Sequence, residues 1–215
     1  MNESEPTVLV IDDDPSVLKA LARLLRSLEL NVATFASPQE FLEQFQPGLH
    51  GCLVLDVSMP KLNGLELQQE LIVRGNELPI IFLTGHGDIP MSVQAMKQGA
   101  VDFLTKPVHE NDLIKAIHVA IEKDRINLRT RAELAKIQER LDTLTKRERE
   151  VMDHVVSGRL NKQIAADLGT VEKTIKVHRA HLMTKLKIRS LADLVRLAER
   201  VGIMSIAPDP NDFQT

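Results

Sequence analysis

Four polar positions stand at or just behind the ends of short apolar runs: Asp12-Asp13 after residues 8–11, Asp56 after 52–55, Thr84 after 80–83, and Lys106 behind 102–104. If those runs are neighbouring strands of one parallel sheet, the polar residues gather along its rim. Three carboxylates so close repel one another strongly. A hard divalent cation with oxygen ligands is the usual remedy, and Mg²⁺ suits it because it keeps waters and accepts a partial carboxylate shell plus a phosphate oxygen. An ionised aspartate beside that charge can attack phosphorus and become an acyl phosphate. On this reading one of the aspartates is the nucleophile, Lys106 offers a point charge to one phosphoryl oxygen, and the Thr84 hydroxyl donates to another. Gly85 leaves room for the incoming group, and Asp14-Pro15 reads as the cap and first residue of a helix.

A second constellation is basic. Residues 161–180, opening at Asn161 and closing at Ala180, read as a helix, a tight turn at Gly169 and a second helix. That is the layout of a helix-turn-helix whose second helix enters the major groove of double-stranded DNA. On the second helix Val171, Ile175, Leu182 and Leu186 recur at helical spacing and are expected in the core. Lys173, Lys176, Val177, Arg179 and Ala180 fall on other faces and can reach DNA. Between residues 170 and 190 six Lys and Arg stand against one acid. Basic side chains that reach phosphates set affinity without reading sequence.

The elements that must position these groups can be read from periodicity. Over the first 120 residues short apolar runs alternate with amphipathic stretches, the pattern of β/α units and a parallel sheet. Strands are expected at 8–11, 32–35, 52–55, 80–83 and 102–104. Val17, Leu18, Leu21, Leu24, Leu25 and Leu28 share one helix face, and further helices are expected near 38–45, 65–74, 90–98 and 110–122. Five such units make a flavodoxin-like, doubly wound α/β sheet, whose ligand site belongs at the carboxyl ends of the strands. From residue 121 to residue 141 Gly and Pro are absent, and Leu134, Ile137, Leu141 and Leu144 are spaced 3-4-3. That seam fits a linker helix that pairs with another copy or one that packs on its own domain. After Thr145 the chain reads as helical to about Arg200, with Gly158 and Gly169 as helix stops. The tail from Ile203, with Pro208 and Pro210, reads as poorly ordered.

Composition narrows the function classes. At 215 residues the chain suits two domains. It has no apolar run long enough to span a membrane, and its first residues lack a secretory layout, so a cytoplasmic protein is expected. The one cysteine, Cys52, lies in an apolar run and reads as a buried thiol. Residues 1–120 carry 8 Lys+Arg against 16 Asp+Glu, a net of −8, whereas residues 141–202 carry 13 against 8, a net of +5. One half should meet a polyanion and the other should not. The basic half lacks aromatic residues, which argues against base stacking on single strands.

With these motifs in place, the first half resembles the receiver domain of two-component response regulators. The resemblance is carried by Val8-Leu9-Val10-Ile11-Asp12-Asp13, Leu53-Val54-Leu55-Asp56-Val57-Ser58-Met59-Pro60, Gly64, Leu83-Thr84-Gly85-His86-Gly87-Asp88 and Phe103-Leu104-Thr105-Lys106-Pro107. It covers residues 6–121 and is nearest to the FixJ-type branch. It implies that a sensor histidine kinase phosphorylates Asp56. It implies too that Asp13, Asp56 and the backbone carbonyl of Ser58 hold Mg²⁺, with Asp12 acting through water. Thr84 and Phe103 would form a switch pair, and the peptide before Pro107 would be cis. Ser58 and His86 flank the acyl phosphate and are expected to tune its lifetime.

The second half resembles the LuxR-type four-helix DNA-binding domain over residues 138–203, through Leu144-Thr145-Lys146-Arg147-Glu148-Arg149-Glu150-Val151, Asn161-Lys162-Gln163-Ile164-Ala165, Glu172-Lys173-Thr174-Ile175-Lys176-Val177-His178-Arg179 and Lys185-Leu186. The resemblance implies that Lys176 and Val177 approach base edges while Lys162, Thr174, Arg179 and Lys185 favour phosphates. Ala180 departs from relatives that place a polar reader there. The expected organisation is a receiver at 6–121, a helical linker at 122–137, the all-α DNA-binding domain at 138–203 and a tail at 204–215. Phosphorylation would control homodimerisation through a face near Ile89, Met91, Ala95, Val101 and Lys106. Promoter DNA and the kinase are the expected partners, with RNA polymerase a further one. Two other readings stay open at this point. A phosphohydrolase of the haloacid dehalogenase type would need an acid where Ser58 stands, and a phosphorelay protein would not need the basic half.

Overall fold

The structure is a computed structural model that describes residues 5–44, 48–85 and 89–203. The chain divides into two compact units between Arg129 and Thr130.

In the first unit five strands, β1 (Thr7–Ile11), β2 (Asn31–Phe35), β3 (Gly51–Asp56), β4 (Ile80–Thr84) and β5 (Asp102–Thr105), form one sheet in the order β2-β1-β3-β4-β5. Every pairing is parallel. The helices between them are α1 (Pro15–Ser27), α2 (Pro38–Gln44), α3 (Gly64–Val73) and α4 (Ile89–Lys97). Strand side chains alternate between faces, so each buried strand feeds two cores. Leu9, Ile11, Leu53, Leu55 and Phe82 pack with Phe41, Leu67, Leu71 and Ala95 on one side. Val8, Val10, Cys52, Val54, Ile81 and Leu83 pack with Leu21, Leu25, Leu113 and Ile117 on the other. This double burial explains why β3 and β4 read as continuous apolar runs rather than alternating ones. Each fully buried Leu or Ile contributes about 1.5–3 kcal/mol.

Several expectations meet their local cause here. Asp14 caps α1 by accepting from Ser16 N at 2.8 Å, with Pro15 at the first helical position. Cys52 is buried, and burial pushes its thiol pKa up to about 12. Asn63 and Glu66 form a reciprocal capping box at the start of α3, each accepting the other's backbone N–H at 2.9 Å. The last residue expected in the second helix, Phe45, lies outside the described residues, as do His86, Gly87, Asp88 and the tail 204–215.

One helix, α5, runs from Glu110 to Asp142 without interruption. Ile137 and Leu141, with Leu144 beyond its end, are buried in the core of the second unit. These three of the four seam residues therefore serve packing within one unit, while Leu134, the first of the series, is half-buried and lies outside that core. The second unit continues with α6 (Lys146–Val156), α7 (Asn161–Asp167), α8 (Glu172–Leu186) and α9 (Leu191–Arg200). Val151, Met152, Ile164, Ile175, Leu182, Leu186 and Leu194 fill its centre. Gly158 (φ 80°) and Gly169 (φ 61°) follow the ends of α6 and α7 in the left-handed region, where glycine carries no Cβ penalty.

Candidate functional sites

Sheet register assembles the acidic site. Ile11 pairs with Leu55, so Asp12, one residue on, stands beside Asp56 at the carboxyl ends of β1 and β3. This is the point where strand order reverses, the expected ligand crevice of an open α/β sheet. Thr84 pairs with Thr105 across β4 and β5, and Lys106 N donates to Thr84 O at 2.7 Å. That bond sets Lys106 on the same rim. The Lys106-Pro107 peptide is cis.

Asp12 and Asp56 are buried, while Asp13 is exposed. One oxygen from each of the three lies within 4.8 Å of the others. Lys106 Nζ donates to Asp12 Oδ2 at 2.6 Å and lies 3.2 Å from Asp56 Oδ1. Asp12 Oδ1 accepts from Asp14 N at 2.9 Å. Burial raises the Asp12 pKa above the usual carboxylate value, and the Lys106 hydrogen bond offsets only part of that. Burial pulls the Lys106 ammonium down, but Asp12 and Asp56 outweigh it and the net shift is upward. The buried Asp56 Oδ1 has no hydrogen bond of good geometry among the described residues. A buried carboxylate oxygen met by the Lys106 ammonium alone among the described residues, next to an exposed aspartate, is part of a donor set that fits a hard divalent cation.

The surroundings are shaped for access. Among the described residues nothing lies within 4 Å of where a Cβ on Gly85 would stand. A Cβ on Gly64 would instead meet Asp56 O at 2.4 Å, and Gly64 N donates to Val57 O at 2.9 Å. Glycine there lets α3 close against the segment that carries Asp56 and Ser58. Ser58 is exposed and Thr84 is buried. The Phe103 ring is half-buried, 6.1 Å from the Phe82 ring and tilted 45° to it. Of the residues expected on a dimer face, Ile89 is exposed but Ala95 is fully buried in the sheet core. Ala95 is turned into the core with Leu67, Leu71 and Phe82, so it does not belong to a contact surface. Lys106 is likewise turned into the acidic site rather than outward.

In the second unit, α7, the turn at Gly169 and α8 form the expected helix-turn-helix. Lys162, Lys176 and Val177 are exposed, and Thr174 is half-buried. Lys176 Nζ lies 2.9 Å from Glu172, an exposed pair one helical turn apart. Such pairs are worth only about 0.3–0.5 kcal/mol, so this lysine is easily released to a new partner. Arg179 donates to Asn161 Oδ1 at 2.7 Å and ties α8 to the start of α7. Val171 departs from expectation: it is the residue before α8, its backbone is extended, and its side chain is 64% exposed. Outside the helix its spacing to Ile175 no longer places it on the core face.

Lys185, expected near phosphate, donates instead to Glu148 Oε2 at 2.6 Å and to Thr143 O at 3.1 Å. Glu148 is the residue that sequence reasoning missed. It is buried, and it forms a capping box with Thr145 in which Thr145 N donates to Glu148 Oε2 at 2.8 Å. Burial alone would raise its pKa, but the Lys185 and Thr145 bonds outweigh that and hold it at about 2. Thr145 followed three residues later by Glu148 was a legible capping signature. The pairing with Lys185, 37 residues away, was not.

The comparisons with known proteins agree with this geometry in both halves. Residues 8–118 match the family described as response regulator receiver domain, and residues 142–198 match bacterial regulatory proteins of the luxR family. Nodulation protein W of Bradyrhizobium diazoefficiens is 47% identical over 91% of this chain and 86% of that protein. Response regulator protein TmoT of Ectopseudomonas mendocina is 44% identical over 94% of this chain and 91% of that one. Among solved structures, response regulator StyR superposes with a TM-score of 0.78 at 46% identity, covering 92% of this chain and all of that one. These matches favour a signalling regulator over a phosphohydrolase or a DNA-independent relay. With an acidic receiver rim in one unit, a basic helix-turn-helix in the other and relatives that match nearly end to end, the chain belongs to the two-component response regulators that join a receiver to a LuxR-type DNA-binding domain.

Proposed function

We propose that Asp56 is the phosphoacceptor and that its acyl phosphate controls dimerisation and sequence-specific promoter binding through α8. The observation that carries this reading is the cluster of Asp12, Asp13 and Asp56, with Asp56 Oδ1 buried and 3.2 Å from Lys106 Nζ. An Asp56 carboxylate oxygen attacks the phosphorus of a phosphohistidine on a sensor kinase; the P–N bond breaks and its electron pair leaves with the imidazole. Asp13, Asp56 and the Ser58 carbonyl would hold Mg²⁺, with Asp12 acting through water, and the ion supplies positive charge against the phosphoryl oxygens. Lys106 turns from Asp12 toward a phosphoryl oxygen, and the Thr84 hydroxyl donates to another. Movement of Thr84 lets the Phe103 ring take the space behind it, which shifts the receiver between two packed states.

In the output unit Lys176 and Val177 reach base edges, and Lys162, Thr174 and Arg179 hold phosphates. Lys185 has a prior claim on Glu148, so it keeps α8 seated on α6 and gives DNA only its remaining donor capacity. Paired helix-turn-helix units read two half-sites in the cytoplasm, where kinase, promoter and RNA polymerase meet.

Sizing and DNA selection of the protein with and without beryllofluoride test the reading together. Activation should yield a dimer and enrich an inverted repeat. An Asp56→Asn variant should fold, take no label from acetyl phosphate and give neither response. Wild-type labelling of that variant would overturn the assignment of the acceptor.

A further inference from the structure

The second unit holds a cavity of about 420 Å³ between the last turns of α5 and the face of α9. Its floor is apolar: Ile137 and Leu197 are buried and Ile188 is half-buried. Its rim is cationic, with Lys136 and Arg140 one helical turn apart on α5 and Arg196 and Arg200 one turn apart on α9. Two of these cations are already matched by acids. Arg200 Nη2 lies 2.5 Å from Glu133, and Arg196 Nη1 lies 3.9 Å from Asp193. Lys136 has no ion-pair partner among the described residues, and Arg140 donates only to the Leu186 carbonyl, at a long 3.4 Å. An apolar trough with two uncompensated cations on one wall therefore lies open.

The chain carries a segment of complementary chemistry next to it. Residues 204–215 contain Asp209 and Asp212, no Lys or Arg, and the apolar side chains Met204, Ile206 and Phe213. Phe213 is the one aromatic residue in the sequence after Phe103. The segment starts four residues after Arg200, itself on the cavity rim. Ten residues separate Ile203 from Phe213, a reach of up to about 33 Å when extended, at roughly 3.3 Å per residue. Tethering so close gives an effective concentration on the order of millimolar, so even weak complementarity is enough to populate a docked state.

We propose that residues 204–215 dock in this cavity, with Phe213 on the Ile137, Ile188 and Leu197 floor and Asp209 and Asp212 on Lys136 and Arg140. The occupant is the chain's own segment rather than a second copy, because the tether favours the near site. Docking covers the apolar trough of α9 and joins its end to α5.

The buried Cys52 thiol makes a clean test feasible, since a Gln214→Cys variant adds a single thiol outside the receiver core for a spin label. In the full-length protein the methyl signals of Ile137, Ile188 and Leu197 should lose intensity, and those of the receiver core should not. Asp209→Lys with Asp212→Lys should restore the signals, and so should Lys136→Glu. Combining the tail reversal with Lys136→Glu should bring the loss back, which a merely misfolded variant would not do. The tail reversal is read separately from Lys136→Glu, so the test stands even if Lys136→Glu unfolds the second unit. Mixing spin-labelled unenriched protein with unlabelled isotope-enriched protein separates the sources. A loss in that mixture identifies a second copy as occupant and overturns the proposal, as does an even loss over the whole surface or none at all.

Discussion

Lys106 Nζ is held at 2.6 Å by Asp12 Oδ2, closer than the 3.2 Å that separates it from Asp56 Oδ1. The lysine is thus the resident counter-ion of a carboxylate cluster whose own repulsion would otherwise be uncompensated. A divalent cation bound to the same cluster competes with it for Asp12 charge.

That competition gives the first prediction. Lys106→Met leaves the buried Asp12 carboxylate with little beyond the Asp14 N–H, and should lower receiver stability by about 1–3 kcal/mol in chelator. Mg²⁺ should recover more stability in the variant than in the wild type, because no ammonium occupies the cluster. Thermal melts with and without Mg²⁺ check both points. Equal Mg²⁺ effects in the two proteins would remove the competition.

Gly64 offers a steric test. A methyl placed 2.4 Å from Asp56 O must push α3 away from the end of β3. Gly64→Ala should cost about 1–3 kcal/mol, in the range of overpacked cores, and slow Asp56 labelling by acetyl phosphate. A variant with normal melting and labelling would show that α3 has slack at this point.

Glu148 predicts a pH dependence. Its folded pKa of about 2 lies below the ordinary value of 4.5, so the stabilisation is complete above pH 4.5 and is lost as pH falls toward 2. Amide exchange in α6 and α8 should show wild type more protected than Glu148→Gln at neutral pH. The difference should shrink through that acid window. A constant difference across it would mean that the Lys185 pair contributes nothing.

For DNA, Lys176→Ala should change the preferred sequence, with a loss of about 1–3 kcal/mol confined to particular bases. Arg179→Ala should weaken binding to all sequences and reduce the salt slope by about 0.9. Because Arg179 also holds Asn161, its variant should loosen the start of α7 in amide exchange. Identical effects of the two substitutions on sequence preference and salt slope would refute the division of roles.

Much of this molecule was legible before any tertiary contact was known, because the signals are local. Apolar runs of strand length marked all five strands, four of them with a polar residue at or just behind the end, and Asp14-Pro15, Gly158 and Gly169 punctuated helices through backbone conformations that only certain residues favour. Asp12, Asp13, Asp56, Thr84 and Lys106 stood out as strand-end residues for the same reason. Their assembly into one rim needed only the parallel sheet that the alternation of elements implied.

Tertiary structure decided what periodicity does not encode, namely which partner each side chain meets. Ile137, Leu141 and Leu144 have a spacing that serves a coiled coil or a domain core equally well, and only the packing inside the second unit shows them in a core. Val171 shares helical spacing with Ile175, yet it stands outside the helix and faces away from the core. Lys106 chose Asp12 across 94 residues and Lys185 chose Glu148 across 37, because register and helix crossing bring those atoms together. Sequence spacing carries element type and facing. Distance between charges depends on how elements are laid side by side, and that is set by the whole core at once.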